Sequence, residues 1–305
     1  MNSASAPRIA VFGSINMDLV AYVDAAPRSG ETVAGREFRQ VPGGKGANQA
    51  LAAARAGGDV VFLGAVGDDA FGTQLRTNLV DSGVEVSGLR LVPGTSGVAH
   101  IVVDGTGANS IIFVSGANKT VTDVTEEDVA LLEGSAALLL QLELPMEGVV
   151  AAARAGRAAG VPTVLTPAPA RELPGELLDL VDLIVPNQHE AAAITGESEP
   201  EAALEALLRR VPEAIITLGE EGSLYGRRGE EPIRVAARAV TAVDTTAAGD
   251  TFCGAFVVAR AEGYAPADAL RFASTASSLA VQRHGASTSM PTRAEIDAAL
   301  EADRA

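Results

Sequence analysis

A run of small residues that leads into a helical pattern is the clearest sign of chemistry in this sequence. Residues 243–255 read Val-Asp-Thr-Thr-Ala-Ala-Gly-Asp-Thr-Phe-Cys-Gly-Ala. The amides of Ala247, Ala248 and Gly249 are expected to point outward at the positive end of a helix, where they could bind phosphate. A carboxylate disfavours an anion unless it accepts a proton, so Asp250 is predicted to act as the base in phosphoryl transfer. The alternative is that Asp250 only caps the helix.

A second glycine cluster also opens a helical pattern. Gly43 and Gly44 allow unusual backbone angles and could form a hinge, while Lys45 and Asn48 offer a charge and an amide to a polar ligand. The segment is not a Walker A loop, because Gly46 stands where that loop needs a hydroxyl for magnesium. A plain strand-to-helix turn is the alternative.

Polar residues follow several apolar, strand-like runs. Asn16 and Asp18 come after the first run, where their donors and acceptors suit sugar hydroxyls, although both residue types are also common in turns and caps. Glu143 follows another run, and by itself it is expected to be a solvated carboxylate. These positions predict a polar site at one edge of a sheet.

Two further segments have both a functional and a structural interpretation. Asn187 and Glu190 could position magnesium through water, or they could cap and begin a helix. The glycine turn at residues 217–223 could pass its backbone close to a nucleotide, or it could be a simple hairpin turn. The residues alone leave these alternatives open.

The alternation of short β-branched runs with longer Ala/Leu stretches predicts a doubly wound, mostly parallel α/β sheet flanked by helices. Residues 19–40, and the runs 100–103 and 110–114, break this alternation and predict antiparallel ribbons that form a small β lid. Strands are predicted at 9–12, 60–65, 137–141, 163–165, 183–185 and 214–217. Helices are predicted at 47–56, 71–82, 147–159, 190–195, 200–210 and 251–262.

Composition limits the expected partners. The 305-residue chain has a formal net charge of −16, which would repel a nucleic-acid backbone. The single cysteine, Cys253, cannot form an internal disulfide, as expected in a reducing cytoplasm. Residues 1–7 lack the features of a signal peptide, and no apolar run approaches the roughly 20 residues that span a bilayer. We therefore expect a cytoplasmic protein that acts on a small molecule, with no nucleic acid or membrane as partner.

Seven segments, in a fixed order, resemble the ribokinase family of carbohydrate kinases over the whole chain. They are GSINMD, GGKGAN, QLELP, TPAPARELP, PNQHE, TLGEEG and AVDTTAAGDTF. Each segment is weak alone, and their order and coverage make the resemblance specific. It implies one ribokinase-like α/β domain over residues 1–305, a lid of about residues 19–42 and 97–116, and a homodimer formed through that lid.

The resemblance also implies an activity and residue roles. ATP would phosphorylate D-ribose at O5, with Asp250 as base and the amides of 247–249 as anion hole. Magnesium would be organised through water by Glu190. The sugar would be held by Asn16, Met17, Asp18, Gly44, Lys45, Gly46, Asn48, Glu143 and Asp250. The nucleotide would lie at Asn187, Thr217, Leu218, Gly219, Glu220, Glu221, Gly222, Gly249, Asp250 and Ser274. An activating potassium ion would lie at Asp244, Thr246, Ala280, Arg283, Gly285 and Ser289.

Two positions depart from the family pattern. Ser274 is smaller than the ring or amide expected near adenine, which predicts looser base selectivity. Met17 brings an apolar side chain between the two sugar ligands Asn16 and Asp18, which makes 2-deoxyribose the alternative substrate.

Other hypotheses remain open beside ribose phosphorylation. They are a kinase of another small sugar, a nucleoside or a fructose phosphate on the same fold, and a non-catalytic sensor of sugar or nucleotide. The intact Asp250 favours a kinase over a sensor, and a phosphorylated substrate would call for added cationic side chains.

Overall fold

The computed structural model describes residues 6–303 and confirms the predicted α/β fold class. Residues 1–5, part of the stretch in which no signal peptide is predicted, and residues 304–305 lie outside the described residues. The strands are β1 (Arg8–Phe12), β2 (Asn16–Val23), β3 (Gly35–Gly43), β4 (Asp59–Gly67), β5 (Leu89–Val92), β6 (Gly97–Val103), β7 (Asn109–Val114), β8 (Ala137–Leu140), β9 (Thr163–Leu165), β10 (Leu183–Ile184), β11 (Glu213–Thr217), β12 (Ser223–Arg227) and β13 (Ile233–Val235).

Helices connect and cover these strands. They are α1 (Lys45–Arg55), α2 (Ala70–Asp81), α3 (Glu126–Leu132), α4 (Met146–Ala159), α5 (Gly175–Leu180), α6 (Gln188–Thr195), α7 (Pro200–Leu208), α8 (Ala248–Ala261), α9 (Pro266–Ala280) and α10 (Arg293–Ala302). Short 3₁₀ helices span Gly116–Thr120 and Gly219–Glu221. No helix within residues 6–303 combines the length and the apolar character that crossing a membrane would need.

The larger sheet has nine strands in the order β13-β12-β11-β10-β9-β8-β1-β4-β5. Pairing is parallel from β11 to β5 and antiparallel only where β12 and β13 extend the edge. Its strands are apolar on both sides, as expected for a sheet covered by helices on both faces. Two buried hydrophobic clusters accordingly include side chains of this sheet, one with α1, α8 and α9, the other with α4 and α7.

The smaller sheet has four strands in the order β3-β2-β6-β7. The two predicted ribbons are antiparallel pairs, β2 with β3 and β6 with β7, and a parallel pairing of β2 with β6 joins them. This sheet begins at Asn16, three residues before the predicted lid, because polar Asn16 and Asp18 already pair with β3. Its role as a lid remains a prediction.

Helix α8 packs closely against α1, and this contact positions the site. A Cβ at Gly254 would lie 2.7 Å from the Ala52 Cβ and 2.8 Å from the Gln49 carbonyl oxygen, so only glycine permits this approach. Hydrogen bonds from Asn48 and Gln49 of α1 to Asp250 of α8 show that the amino-terminal ends of both helices also lie side by side. Helix α8 starts at Ala248, three residues before the predicted start.

Candidate active site

The start of β2 carries two predicted ligands on one face. Asn16 is buried and Asp18 is half-buried, and residues two apart along a strand point the same way. Met17, between them, points to the opposite face, is 1% exposed and belongs to the hydrophobic core. The prediction that the Met17 side chain shapes the sugar site is therefore wrong. The position of Met17 no longer supports 2-deoxyribose as the alternative substrate.

Asn118, which the sequence patterns did not single out, holds Asn16 in place. Its Nδ2 donates to Asn16 Oδ1 at 2.7 Å and to the Ile15 carbonyl oxygen at 3.1 Å. Its Oδ1 accepts from the Ile15 amide at 3.1 Å. Asn118 is fully buried in a 3₁₀ helix. No signal in the sequence could have found it, because Ser-Gly-Ala-Asn is typical of ordinary turns.

Glu143 is bonded to the start of α1. Its Oε2 accepts from the Ser14 hydroxyl at 2.5 Å and from the Lys45 amide at 3.0 Å. That amide lies at the positive end of α1, which favours a carboxylate. The interpretation of Glu143 as a solvated side chain is therefore wrong.

Gly44 and Gly46, two predicted sugar ligands, allow the backbone to pack closely next to the contact between Glu143 and Lys45. Gly44 has a φ of 95°, and a Cβ there would lie 2.8 Å from the Ile15 Cα. A Cβ at Gly46 would lie 2.6 Å from the Gly13 Cα. The Gly46 amide already donates to Ser14 Oγ at 3.3 Å, so it is not free for a ligand. Both glycines let the chain turn tightly from β3 into α1.

Lys45 is surrounded by carboxylates. Asp250 raises the pKa of Lys45 most strongly, burial opposes this, and Glu143, Glu190 and Asp18 add to the increase. The ammonium is therefore held protonated at neutral pH. We call Lys45, Asp18, Glu143 and Asp250 the carboxylate cluster.

Asp18 can change its charge near neutral pH. Burial and the neighbouring Glu143 raise the pKa of Asp18 to about 7, and Lys45 acts in the opposite direction. The cluster therefore carries one less negative charge in mildly acidic solution than in mildly basic solution.

Asp250 is the third residue of α8 and is 7% exposed. Its Oδ2 accepts from Asn48 Nδ2 at 3.3 Å, and its Oδ1 accepts from Gln49 Nε2 at 3.0 Å. Because side chains of α1 bond both oxygens, and α8 has no side-chain cap, the capping alternative for Asp250 is excluded. Burial raises the pKa of Asp250, and the positive charge of Lys45 opposes this increase.

The turn before α8 presents backbone amides. Ala247 has a φ of 57°, which is rare for a residue with a side chain. Within residues 6–303, the amides of Ala247 and Gly249 donate no hydrogen bond to the backbone, as is usual at the start of a helix. The Ala248 amide instead donates to the Thr245 carbonyl oxygen at 3.2 Å. The predicted set of three open amides is therefore corrected, with Ala248 committed to the turn.

A cavity of 770 Å³ opens beside these amides. The predicted nucleotide contacts in its wall are Thr217, Gly219, Glu220, Gly222, Gly249 and Ser274. Four others are absent from this wall: Leu218 is buried, Asn187 caps α6, Glu221 pairs with Arg234 at 3.3 Å, and Asp250 is buried against α1. The hairpin alternative for residues 217–223 is also correct, because β11 and β12 form an antiparallel pair.

Apart from Ala248, whose amide was a predicted phosphate contact, the rest of the cavity wall was not singled out from the sequence. It comes from the irregular segment before α8 and from the facing sides of α8 and α9. These residues are Ala237, Arg238, Ala239, Val240, Ala242, Thr245, Ala248, Phe252, Ser277, Ser278 and Val281. Most of them are small, and such residues carry no recognisable spacing.

Asn187 and Glu190 form a capping box at the start of α6, so their structural alternative is confirmed. Asn187 Oδ1 accepts from the Glu190 amide and Glu190 Oε2 accepts from the Asn187 amide, both at 2.9 Å. Burial raises the pKa of Glu190. Within residues 6–303, no group of three or more His, Cys, Asp or Glu side chains could hold a metal ion. The site therefore fits magnesium only in the form that keeps its waters and binds few carboxylates, with Glu190 Oε1 left for a bound water.

Asp244 joins the two loops predicted to hold potassium. Its carboxylate accepts from the Thr246 amide at 2.9 Å, from the Thr246 hydroxyl at 2.6 Å and from the Gly285 amide at 2.9 Å. These contacts lower the pKa of Asp244, although burial acts against them. The carboxylate therefore shapes the loops and stays ionised.

The backbone oxygens of these loops fit a hard cation. Among residues 6–303, the carbonyl oxygens of Asp244, Thr246, Arg283 and Gly285 accept no backbone hydrogen bond, whereas that of Ala280 accepts from the Arg283 amide at 3.0 Å. Hard cations prefer such oxygen ligands. Ser289 is buried and its hydroxyl donates to Ala286 at 2.8 Å.

The chain is similar to known carbohydrate kinases. The chain matches the pfkB family of carbohydrate kinases over residues 6–293. It is 43% identical to the ribokinase of Bacillus subtilis (strain 168) over 295 residues, covering 96% of this chain and 99% of that protein. It is 39% identical to the deoxyribokinase of Salmonella typhi over 260 residues, covering 81% of this chain and 84% of that protein.

A solved structure extends the likeness to three dimensions. The ribokinase of Arabidopsis thaliana, complexed with ribose and ATP, matches with a TM-score of 0.92 at 36% identity, covering 97% of this chain and 99% of that chain. The chain therefore belongs to the pfkB family of carbohydrate kinases.

Proposed function

We propose that this carbohydrate kinase transfers the γ-phosphoryl group of ATP to O5 of D-ribose. The observation that carries the proposal is the position of Asp250, which is a member of the carboxylate cluster and directly follows Gly249 in the wall of the 770 Å³ cavity. Asn48, a predicted sugar ligand, bonds its carboxylate, and Gly249, the preceding residue, lines the cavity. A base at this junction can take a proton from a sugar hydroxyl that faces a nucleotide phosphate.

The carboxylate cluster supports a neutral, polyhydroxylated substrate. Three carboxylates and one ammonium offer acceptors and a donor to hydroxyl groups. A phosphorylated sugar would add a further anion to the three carboxylates of Asp18, Glu143 and Asp250, where Lys45 is the positive charge that lowers the pKa of Asp18 and Asp250. The cluster therefore favours ribose over a fructose phosphate.

The start of α8 supports the other half of the reaction. The amides of Ala247 and Gly249 lie at the positive helix end and can stabilise charge on the phosphoryl group in transfer. Lys45 is held protonated and can serve the same purpose from α1. The sugar oxygen loses its proton to Asp250 as it forms the new bond to the γ-phosphorus, while the bond from that phosphorus to the β–γ bridging oxygen breaks and ADP leaves.

Magnesium and potassium complete the proposed site. Glu190 would hold a magnesium-bound water, and the ion would supply charge neutralisation on the phosphates. The carbonyl oxygens of Asp244, Thr246, Arg283 and Gly285 would hold potassium beside α8. The chain's own contribution there is the Asp244 carboxylate, which keeps the two loops together.

A second copy of the chain is proposed to cover the outer side of the smaller sheet. Phe38 on edge strand β3, and Ile111, Ile112 and Phe113 on edge strand β7, are 40% to 68% exposed. Apolar side chains on open edge strands favour association. Sedimentation of the purified chain should give a dimer, and Ile112→Asp should give a monomer; a monomeric parent chain would contradict this.

The buried free thiol of Cys253 supports a reducing, cytoplasmic setting.

An ADP-release assay across several acceptors tests the proposed reaction. Ribose, 2-deoxyribose, fructose, fructose 6-phosphate and adenosine are compared at fixed magnesium, in potassium and in tetramethylammonium salts. Ribose in potassium should give the highest kcat/KM, and phosphorus NMR should show a phosphate monoester at O5. A higher kcat/KM for 2-deoxyribose than for ribose would make 2-deoxyribose the substrate, as in the name of the Salmonella typhi relative. Binding of sugar and ATP without turnover would favour a sensor.

A further inference from the structure

Gln49 contacts the Asp250 carboxylate from its buried side. Its Nε2 donates to Asp250 Oδ1 at 3.0 Å and to Thr166 Oγ1 at 3.2 Å. Its Oε1 accepts from Gln141 Nε2 at 2.7 Å. Both glutamines are at most 1% exposed. Buried amides of this kind are held by their partners, because no bulk water is present to replace a lost bond.

The contact with Gln141 determines which end of the Gln49 amide faces the base. An amide offers donors at its nitrogen and acceptors at its oxygen. Since Gln141 donates to the oxygen of Gln49, the nitrogen is left to face Asp250. The reversed amide would direct an oxygen at an ionised carboxylate, which is unfavourable. Gln141 and the ionised Asp250 therefore favour the same direction of the Gln49 amide, with Gln141 holding its oxygen end.

The same contacts connect the base to the sugar side of the site. Gln141 directly follows β8 and lies two residues before Glu143, whose carboxylate bonds the start of α1. Gln49 follows Asn48, which bonds the other Asp250 oxygen. Both oxygens of the base are thus oriented by neighbours on the helix whose first amide Glu143 binds.

We propose that Gln49 is a positioning residue for the base: it fixes the rotation of the Asp250 carboxylate, and Gln141 fixes Gln49. The inference rests on the proposed function, since Gln49 has this role only if Asp250 accepts the substrate proton. Proton transfer requires the base within hydrogen-bond reach of the hydroxyl, and a small misplacement costs a large factor in rate. Gln49 itself does not touch the substrate.

The electrostatic surroundings give this role a pH signature. Lys45 and Glu143 face Asp250 across the cluster, and the thiol of Cys253 lies behind it on α8. The hydrogen bond from Gln49 lowers the pKa of Asp250, against the larger effect of burial. Because the base acts when ionised, loss of this bond should move the acidic limb of the kcat profile, which does not include the effect of Asp18 on the KM for ribose, to higher pH.

The first test is Gln49→Leu, which keeps the side-chain volume and removes both donors. We expect kcat to fall by about 10- to 100-fold while the KM for ribose changes by less than about threefold. The acidic limb should move to higher pH. Leu204→Ala in α7 is the control for lowered stability, because it removes a buried side chain in the other core cluster and should leave kcat and the pH limb unchanged. A wild-type kcat in Gln49→Leu would overturn the proposal.

A second variant keeps the proposal testable if Gln49→Leu does not fold. Gln141→Leu leaves Gln49 in place but frees the direction of its amide, and we expect kcat to fall by about three- to tenfold. The double variant should be no slower than Gln49→Leu alone, because Gln141 acts only through Gln49. Additive losses, or a change in KM alone, would contradict the proposed order of contacts.

Asp250→Asn separates the failure of this inference from the failure of the proposed function. If Asp250→Asn turns over at the parent rate, the base itself is misassigned. If Asp250→Asn is inactive while Gln49→Leu and Gln141→Leu keep parent kcat values, Asp250 remains the proposed base and the positioning role of Gln49 is wrong.

Discussion

The carboxylate cluster and the 770 Å³ cavity are built in opposite ways. In the cluster, charged side chains lie beside one another and are held by further side chains, as Asn48 and Gln49 hold Asp250. The cavity is lined mainly by Gly, Ala, Ser and Thr, with open backbone amides at its edge. Removing a side-chain group should therefore reduce activity most in the carboxylate cluster, whereas adding one should reduce activity most in the cavity.

The largest expected effect comes from the cluster. Asp250→Asn removes the proton acceptor but keeps the size of the side chain, so kcat should fall by about a hundredfold or more. Dissociation constants for ribose and ATP should stay within about threefold of the parent values. Steady-state rates and titration calorimetry measure the two quantities. A turnover near that of the parent chain would remove Asp250 from its role.

Gly249→Ala makes the matching change at the cavity. Nothing lies within 4 Å of an added Cβ at Gly249, and alanine favours a helix, so thermal stability should be unchanged or slightly higher. The methyl group should nevertheless lower kcat/KM for ATP by about tenfold, because it enters the space of the phosphates. Gly175→Ala at the start of α5 is the control, also with room for the methyl. An unchanged kcat/KM for ATP in Gly249→Ala would show that the ATP phosphates do not bind next to residue 249.

A change of pH tests the cluster without mutation. Above pH 7 the Asp18 carboxylate is ionised and accepts from sugar hydroxyls, and below it the group is protonated. The KM for ribose should therefore rise about three- to tenfold as pH falls from about 8 to about 6. Asp18→Asn should bind ribose more weakly than the parent chain, with a KM for ribose that does not change over this pH range. A pH-independent KM in the parent chain would contradict the raised pKa.

The same pKa has a consequence for stability. Because the folded-state pKa of Asp18 lies above its ordinary value, the folded chain binds the proton more tightly than the unfolded chain. This group therefore makes folding less favourable as pH rises toward 7. Asp18→Asn should raise the melting temperature by about 2–4 °C at pH 8 and by less at pH 5, as calorimetry can measure.

The smallest effect is expected from a deletion at the cavity. Ser274→Ala removes one hydroxyl from a wall made of many small groups, so the KM for ATP should change by less than about threefold. Comparing ATP with GTP in this variant also tests whether Ser274 contributes to base selectivity. A loss of tenfold or more would show that this wall, like the cluster, depends on individual side chains.

The same contrast explains what could be predicted from sequence. The alternation of strands and helices and the two ribbons could be predicted from hydrophobic periodicity, and Asp250 and Lys45 stand out as charged residues within runs of small residues. Glu143 was assigned to the site only through the family resemblance. Asn118 and Gln49 could not, since a buried amide matters only through partners about a hundred or more positions away. The orientation of Met17 could not be predicted because the ribbon was expected to begin only at residue 19, so the alternation of side chains along a strand was not applied to residues 16–18.

Strand β2 starts in the binding site and ends in the smaller sheet, so Asn16 and Asp18 belong to a different body from Lys45 and Asp250. The joints between the two bodies are the tight glycine turns at Gly13 and Gly44. The prediction that the smaller sheet acts as a lid therefore has a consequence for binding. Movement of that sheet would separate Asn16 and Asp18 from Lys45 and Asp250, so the full set of sugar contacts would form only when the lid is closed.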